Sequence, residues 1–169
     1  MENSIWNEVE ENSIYSSNKE LYQKHILEQY KICIEMVDKI SERRNLANVF
    51  FLTLNTLCIT AIGFLMEKIS LVNPRWVIAF PLISTLILCL IWWWLIRSYR
   101  DLNSAKFKVV GLLEKKLPSS PFVSAEWNEL GQGKDISKYL PLTALEKFIP
   151  IVFGVIYILL GVYILFLMK

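Results

Sequence analysis

The sequence predicts an all-α integral membrane protein with three transmembrane helices and two amphipathic cytoplasmic stalk helices. Three observations carry this reading. Residues 46–66, 76–96 and 148–168 hold no charged side chain. At 1.5 Å per residue, each stretch suffices for one crossing of a hydrocarbon core about 30 Å thick. The chain is 54% hydrophobic with a mean hydropathy of +0.38, yet 20% of it is charged, and those charges concentrate in 1–45 and 97–147. Finally, neither Gly nor Pro interrupts the chain between Lys19 and Gly63, so one helix can pass from water into lipid unbroken.

Residues 1–17 are polar, carry Glu2, Glu8, Glu10 and Glu11, and read as a loose N-terminal segment. They lack the apolar centre of a signal peptide, so the first transmembrane helix is expected to direct insertion. Ser17 and Asn18 offer an N-cap, and 18–45 reads as a cytoplasmic amphipathic helix. Its Ile26, Tyr30, Cys33, Val37 and Ile40 recur at the spacing of a coiled-coil seam, taken here as a seam between subunits. Lys24, Glu28, Lys31, Glu35, Asp38, Lys39 and Glu42 alternate in sign on the solvated side. At about 27 residues, this stalk would stand roughly 40 Å into the cytosol.

The first transmembrane helix occupies 46–66, an external loop 67–75 and the second transmembrane helix 76–96. Residues 97–117 form the second stalk, where Tyr99, Leu102, Lys106, Val109, Leu113 and Leu117 share helical spacing; it is expected to pack antiparallel to the first. Pro118 and Pro121 end it. A connector spans 118–142, with a short helix near Ala125 to Leu130 and a turn at Gly131 to Gly133. Thr143 and Glu146 have the spacing of a capping box, from which the third transmembrane helix runs over 143–169, with Pro150 early enough to cost little.

Lys and Arg set the orientation. Lys19, Lys24, Lys31, Lys39, Arg43 and Arg44 precede the first crossing, and Arg97, Arg100, Lys106, Lys108, Lys115, Lys116, Lys134, Lys138 and Lys147 follow the second, whereas 67–75 holds only Lys68 and Arg75. The positive-inside rule then places the N-terminus in the cytoplasm and the C-terminus outside. Trp92, Trp93 and Trp94 are expected at the inner interface and Trp76 at the outer one. A net charge of +2 speaks against nucleic acid as a partner.

Asn48, Thr53, Asn55, Thr56, Thr60 and Gly63 fall within one arc of the first transmembrane helix at 100° per residue. That arc reads either as the lining of a conduit or as hydrogen-bonding glue between helices. No Asp, Glu, Lys, Arg or His lies in any of the three spans, which argues against proton relays and ion-coupled carriers. Gly154, Tyr157 and Gly161 share a face of the third helix, where small residues allow close packing. Arg43, Arg44, Arg97 and Arg100 collect at one membrane surface and read as contacts to anionic lipid or as anchoring charges with ion pairs.

Cys33, Cys58 and Cys89 read as packing residues, and His25 lacks neighbours at metal-ligand spacing. Gly131-Gln-Gly-Lys134 lacks the phosphate-loop spacing. No catalytic residue, cofactor or metal is expected; an enzyme would have to draw on Glu126, Glu129 and Asp135 of the connector.

Several short motifs bear on family. These are Glu28-Gln-Tyr30, Ile40-Ser-Glu-Arg-Arg-Asn45, Ala47-Asn48, Phe50-Phe-Leu-Thr-Leu-Asn55, Arg97 to Asn103, Ala105-Lys-Phe107, Leu112-Leu-Glu114, Leu117-Pro118, Glu126-Trp127 and Tyr139-Leu-Pro-Leu-Thr143 with Glu146. Over about residues 28–153 the chain resembles the RipA-like family of small octameric bacterial inner-membrane proteins. The resemblance implies a homo-octamer in the bacterial cytoplasmic membrane and supplies no catalytic residues. The element order is also similar to membrane effector modules of bacterial antiphage systems. The expected role is a non-enzymatic scaffold, with a central conduit or a pore-forming effector as the alternative. The expected partners are further copies of itself, membrane lipids and an unidentified cytoplasmic protein.

Overall fold

The structure, a computed structural model, describes residues 5–7, 14–69, 76–134 and 137–164. Helices α1 (Ile14–Ser17), α2 (Lys19–Ile69) and α3 (Trp76–Glu114) come first. A π-helical turn (Pro121–Glu126), α4 (Trp127–Glu129) and a 3₁₀ turn (Gly131–Gly133) follow, and α5 (Leu142–Glu146) and α6 (Phe148–Val162) close the described chain. Among the described residues there is no strand. Three helical stretches, Lys19–Met66, Ile78–Glu114 and Leu142–Val162, are long and apolar enough to cross a membrane. The external loop expected at 67–75 lies largely outside the described residues, as do the side chain of Trp76 and all of 165–169.

The chain divides into two compact units: an extramembrane unit of the chain up to Glu42 with Asp101–Leu140, and a membrane unit of Arg43–Arg100 with the chain from Pro141 onward.

In the extramembrane unit, α2 starts at an Asn18 cap, whose Oδ1 accepts from the Leu21 amide at 3.0 Å. Just before it α1 adds a helical turn, which differs at Ile14–Ser17 from the loose segment expected over 1–17, of which residues 1–4 and 8–13 lie outside the described residues: Tyr15 hydrogen-bonds His25 Nδ1 at 2.8 Å, and the Trp6 ring lies under Lys116 Nζ. Helix α2 buries Ile26, Val37 and Ile40, and α3 buries Val110, Leu113 and Glu114. Each apolar side chain removed from water contributes about 1.5–3 kcal/mol. Of the expected stripe of α3, Leu113 is buried, Tyr99, Lys106, Val109 and Leu117 are half-buried and Leu102 is exposed, while Val110 and Glu114 join the inner positions.

Helix α3 stops at Glu114, three residues before the expected end. The Lys116 amide bonds Leu113 O at 2.9 Å and the Leu117 amide bonds Glu114 O at 3.0 Å, the i→i+3 tightening common at helix ends. The connector helix expected from Ala125 to Leu130 begins instead as the π-helical turn, whose Ala125 amide reaches Ser120 O at 3.2 Å. Gly131, Gln132 and Gly133 all have positive φ, and a Cβ on Gly133 would meet the Trp127 ring at 3.1 Å. Glycine there serves both backbone and packing.

The membrane unit packs α2, α3 and α6 around two apolar clusters. One gathers Ile62, Ile78, Leu82, Cys89, Tyr157 and Ile164; the other holds Phe51, Trp92 and Ile96. The capping box expected to start the third span does not form. The chain is already helical at Leu142, the cap position is Pro141, and no side chain caps it. Thr143 and Glu146 instead both serve Arg44.

Candidate functional site

A polar node sits among the three membrane helices, built from the residues of α2 that lipid tolerates least. Asn55 has no solvent exposure. Its Nδ2 donates to Phe51 O one turn back at 2.8 Å, while Tyr157 of α6 donates to both Asn55 O and Asn55 Oδ1 at 3.1 Å. Cys89 of α3 points its Sγ at Asn55 Oδ1 from 3.4 Å. Two turns N-terminal of Asn55, Asn48 Oδ1 accepts from the Trp92 indole at 3.0 Å. Between these bonds runs an aromatic ladder: Phe51 stacks on Trp92 at 5.7 Å, Trp92 meets Phe153 at 6.2 Å, and Phe153 meets Tyr157 at 6.4 Å. All three helices are thereby joined by groups that would be costly to leave unpaired in lipid.

The single polar arc read from the sequence is thus two surfaces. Asn48 and Asn55 turn into the chain's own core. Thr53, Thr56 and Thr60 are exposed, with the hydroxyls of Thr56 and Thr60 returned to Leu52 O and Thr56 O at 2.9 Å, and a Cβ on Gly63 would meet nothing within 4 Å. The third-helix face divides similarly. Tyr157 is buried and a Cβ on Gly161 would meet Leu82 Cδ1 at 3.8 Å, whereas one on Gly154 would meet nothing within 4 Å.

At the charged end of the membrane unit, Arg44 Nη1 donates to Thr143 Oγ1 at 3.2 Å. Its Nε stands 3.4 Å from Glu146 Oε2 with both side chains largely buried, an ion pair without the alignment of a hydrogen bond. That engagement favours the ion-pair reading of Arg44 over the lipid-contact one. Arg43, Arg97 and Arg100 remain exposed, with Arg97 5.9 Å from the centre of the Trp93 ring. Trp92 is also corrected: it is 1% exposed and forms the centre of the core, while Trp94, 73% exposed in the structure, is the interfacial candidate.

The supposed subunit seam is largely occupied within one chain. Ile26, Val37 and Ile40 are buried, Cys33 is half-buried, and Tyr30 donates to Glu114 Oε1 at 3.2 Å. Burial first, then the negative charge and hydrogen bond of Glu114, push the Tyr30 phenol up to about 12. Of the connector acids, Glu126 and Glu129 are exposed and Asp135 lies outside the described residues. Sequence reasoning missed Glu114, Trp92 and the Arg44–Glu146 pair; an isolated acid on the inner stripe of α3 was the available signal for the first.

The chain matches the octameric membrane protein family (8xMP) over residues 27–166. It belongs to that family. The 8xMP match covers α2 from residue 27 onward, α3, the connector and α6, and so includes both the polar node and the Tyr30–Glu114 contact. No curated protein and no solved structure matches this 8xMP member.

Proposed function

We propose that this 8xMP protein is a non-enzymatic, homo-octameric scaffold of the bacterial cytoplasmic membrane, with its N-terminus and connector in the cytoplasm and its C-terminus outside. The observation that carries the scaffold reading is the inward orientation of Asn48 and Asn55. The two asparagines of the first transmembrane span are spent on bonds within one protomer, as expected where polarity serves helix packing. Membership of an octameric family supports self-association. Native mass spectrometry of the detergent-extracted protein tests the assembly: an eight-fold multiple of the 19.7 kDa chain is expected, and a monomer would refute it.

The exposed Thr53, Thr56 and Thr60 favour a second reading, in which these hydroxyls line a central conduit and the protein is a pore or membrane-disrupting effector. Replacing Thr56 and Thr60 together by Leu discriminates the two. Under the scaffold reading, ion flux into proteoliposomes stays at the protein-free level for both the parent and the variant. A parent conductance that the double variant abolishes would establish the conduit.

A further inference from the structure

Glu114, the last residue of α3, is 1% exposed, and its carboxylate meets donors from two segments. Tyr30 of α2 donates to Oε1 at 3.2 Å and the Phe122 amide to the same oxygen at 3.2 Å. Ser120 Oγ donates to Oε2 at 2.6 Å and the Val123 amide to Oε2 at 3.1 Å. Each oxygen thus accepts two bonds, an arrangement that suits an ionised carboxylate. An amide in its place would turn an NH₂ group toward donors.

One turn earlier α3 has Gly111, where a Cβ would come within 3.0 Å of Val123 Cγ1. The missing side chain leaves a notch that the π-helical turn fills. Beyond that turn, the segment closes on itself: the Gly133 turn packs under Trp127, and Gln132 donates to Asn128 at 3.1 Å. Residues 118–134 are therefore a small folded cap, attached to the helix pair at a notch and at one carboxylate.

We propose that Glu114 is a charge latch: its ionised carboxylate holds the 118–134 cap closed on α2 and α3, and neutralising it releases the cap while both helices stay folded. Burial first, and then the Glu114 carboxylate beside it, raise the Tyr30 phenol. Tyr30 is also the titratable side chain that α2 presents to the latch, with Ser120 and two amides facing it from the cap. This device is independent of the scaffold reading, because it lies wholly in the extramembrane unit.

Hydrogen exchange on the full-length protein in detergent, comparing the parent with Glu114→Gln, tests the latch. Amides of 120–126 should exchange at least roughly ten-fold faster in the variant, the effect of losing charge-assisted bonds, while those of α2 and α3 keep their protection. Alkaline difference absorbance against Tyr30→Phe should show the Tyr30 phenol titrating closer to 10 once Glu114 is neutral. Ser120→Ala, which removes one donor and keeps the carboxylate, should loosen the same amides by a smaller factor. Loosening confined to 120–126 in Glu114→Gln supports the latch. Its absence there, whether protection is unchanged or is lost along α2 and α3 as well, overturns it, and loosening in Ser120→Ala alone overturns the part assigned to charge.

Discussion

At the scale of single residues, Asn55 shows how lipid changes the accounting. Leucine-rich helix faces gain little by leaving hydrocarbon for each other, so packing and polar bonds decide association. Asn55 supplies bonds to both other helices of the membrane unit. Asn55→Leu is expected to destabilise the protein by roughly 0.6–2 kcal/mol, the range for such bonds in bilayers, seen as a lower melting temperature in detergent with ion permeability unaltered. Unchanged melting would mean that the node is ornamental to stability. Tyr30 yields a prediction of opposite location and clear sign. Its phenol is held up to about 12 in the folded chain, so the folded state favours the protonated form. The stability this represents is complete below about pH 10 and is lost as pH rises from there toward 12. Tyr30→Phe should flatten alkaline unfolding in that window, followed by circular dichroism against pH; an unaltered profile would contradict the shift.

The polarity of the Asn48 to Thr60 arc was legible in the sequence, but its division was not, and the reason is chemical. A threonine hydroxyl can bond the carbonyl one turn back, as Thr56 and Thr60 do, and then tolerates exposure to lipid. An asparagine has donors and an acceptor on one side chain and satisfies them only with help from other helices. Treating the two residue types alike on a helical wheel merged surfaces that they separate.

At the scale of elements, long helices were the most legible feature, because the run without Gly or Pro from Lys19 to Gly63 and the uncharged stretch 46–66 together specify the helix Lys19–Ile69. The partner of a correctly recognised stripe was not. The seam at Ile26, Val37 and Ile40 has coiled-coil spacing, yet the structure buries it within one chain; period alone does not say whose surface covers a seam. Val37→Asp combined with Ile40→Asp should therefore unfold the extramembrane unit itself. Each loss costs about 1.5–3 kcal/mol before the charge penalty. Limited proteolysis should cut 101–134 in the variant under conditions that spare the parent. Loss of assembly with proteolytic resistance intact would return the seam to the subunit interface. The Thr143/Glu146 pair teaches the same limit. The residue types fit a capping box, but their partner Arg44 lies 99 residues before Thr143 in the chain, beyond the reach of any local rule.

At the scale of the whole molecule, the proposed orientation rests on charge asymmetry, and its energetics can be stated. Each Lys or Arg near an anionic cytoplasmic leaflet is worth about 1 kcal/mol. The blocks before the first span and after the second carry many such residues, against Lys68 and Arg75 in the intervening stretch, so the balance favours keeping both blocks inside. Withdrawing Arg44 into its pair with Glu146 subtracts little from that sum. Labelling of intact cells with a membrane-impermeant maleimide tests the orientation, after Cys33, Cys58 and Cys89 are replaced by Ser to remove background. A single cysteine at Ser70, outside the described residues, should react from outside. One at Asn128, exposed on the connector, should react only after lysis. A cysteine at 128 gives up one exposed side-chain bond, from Gln132, whereas one at Ser120 would give up a bond to the buried Glu114 carboxylate. Because an odd number of spans puts the two ends of the chain on opposite faces, labelling at 128 from outside would invert the whole arrangement and place the Glu114 latch in the extracytoplasmic space.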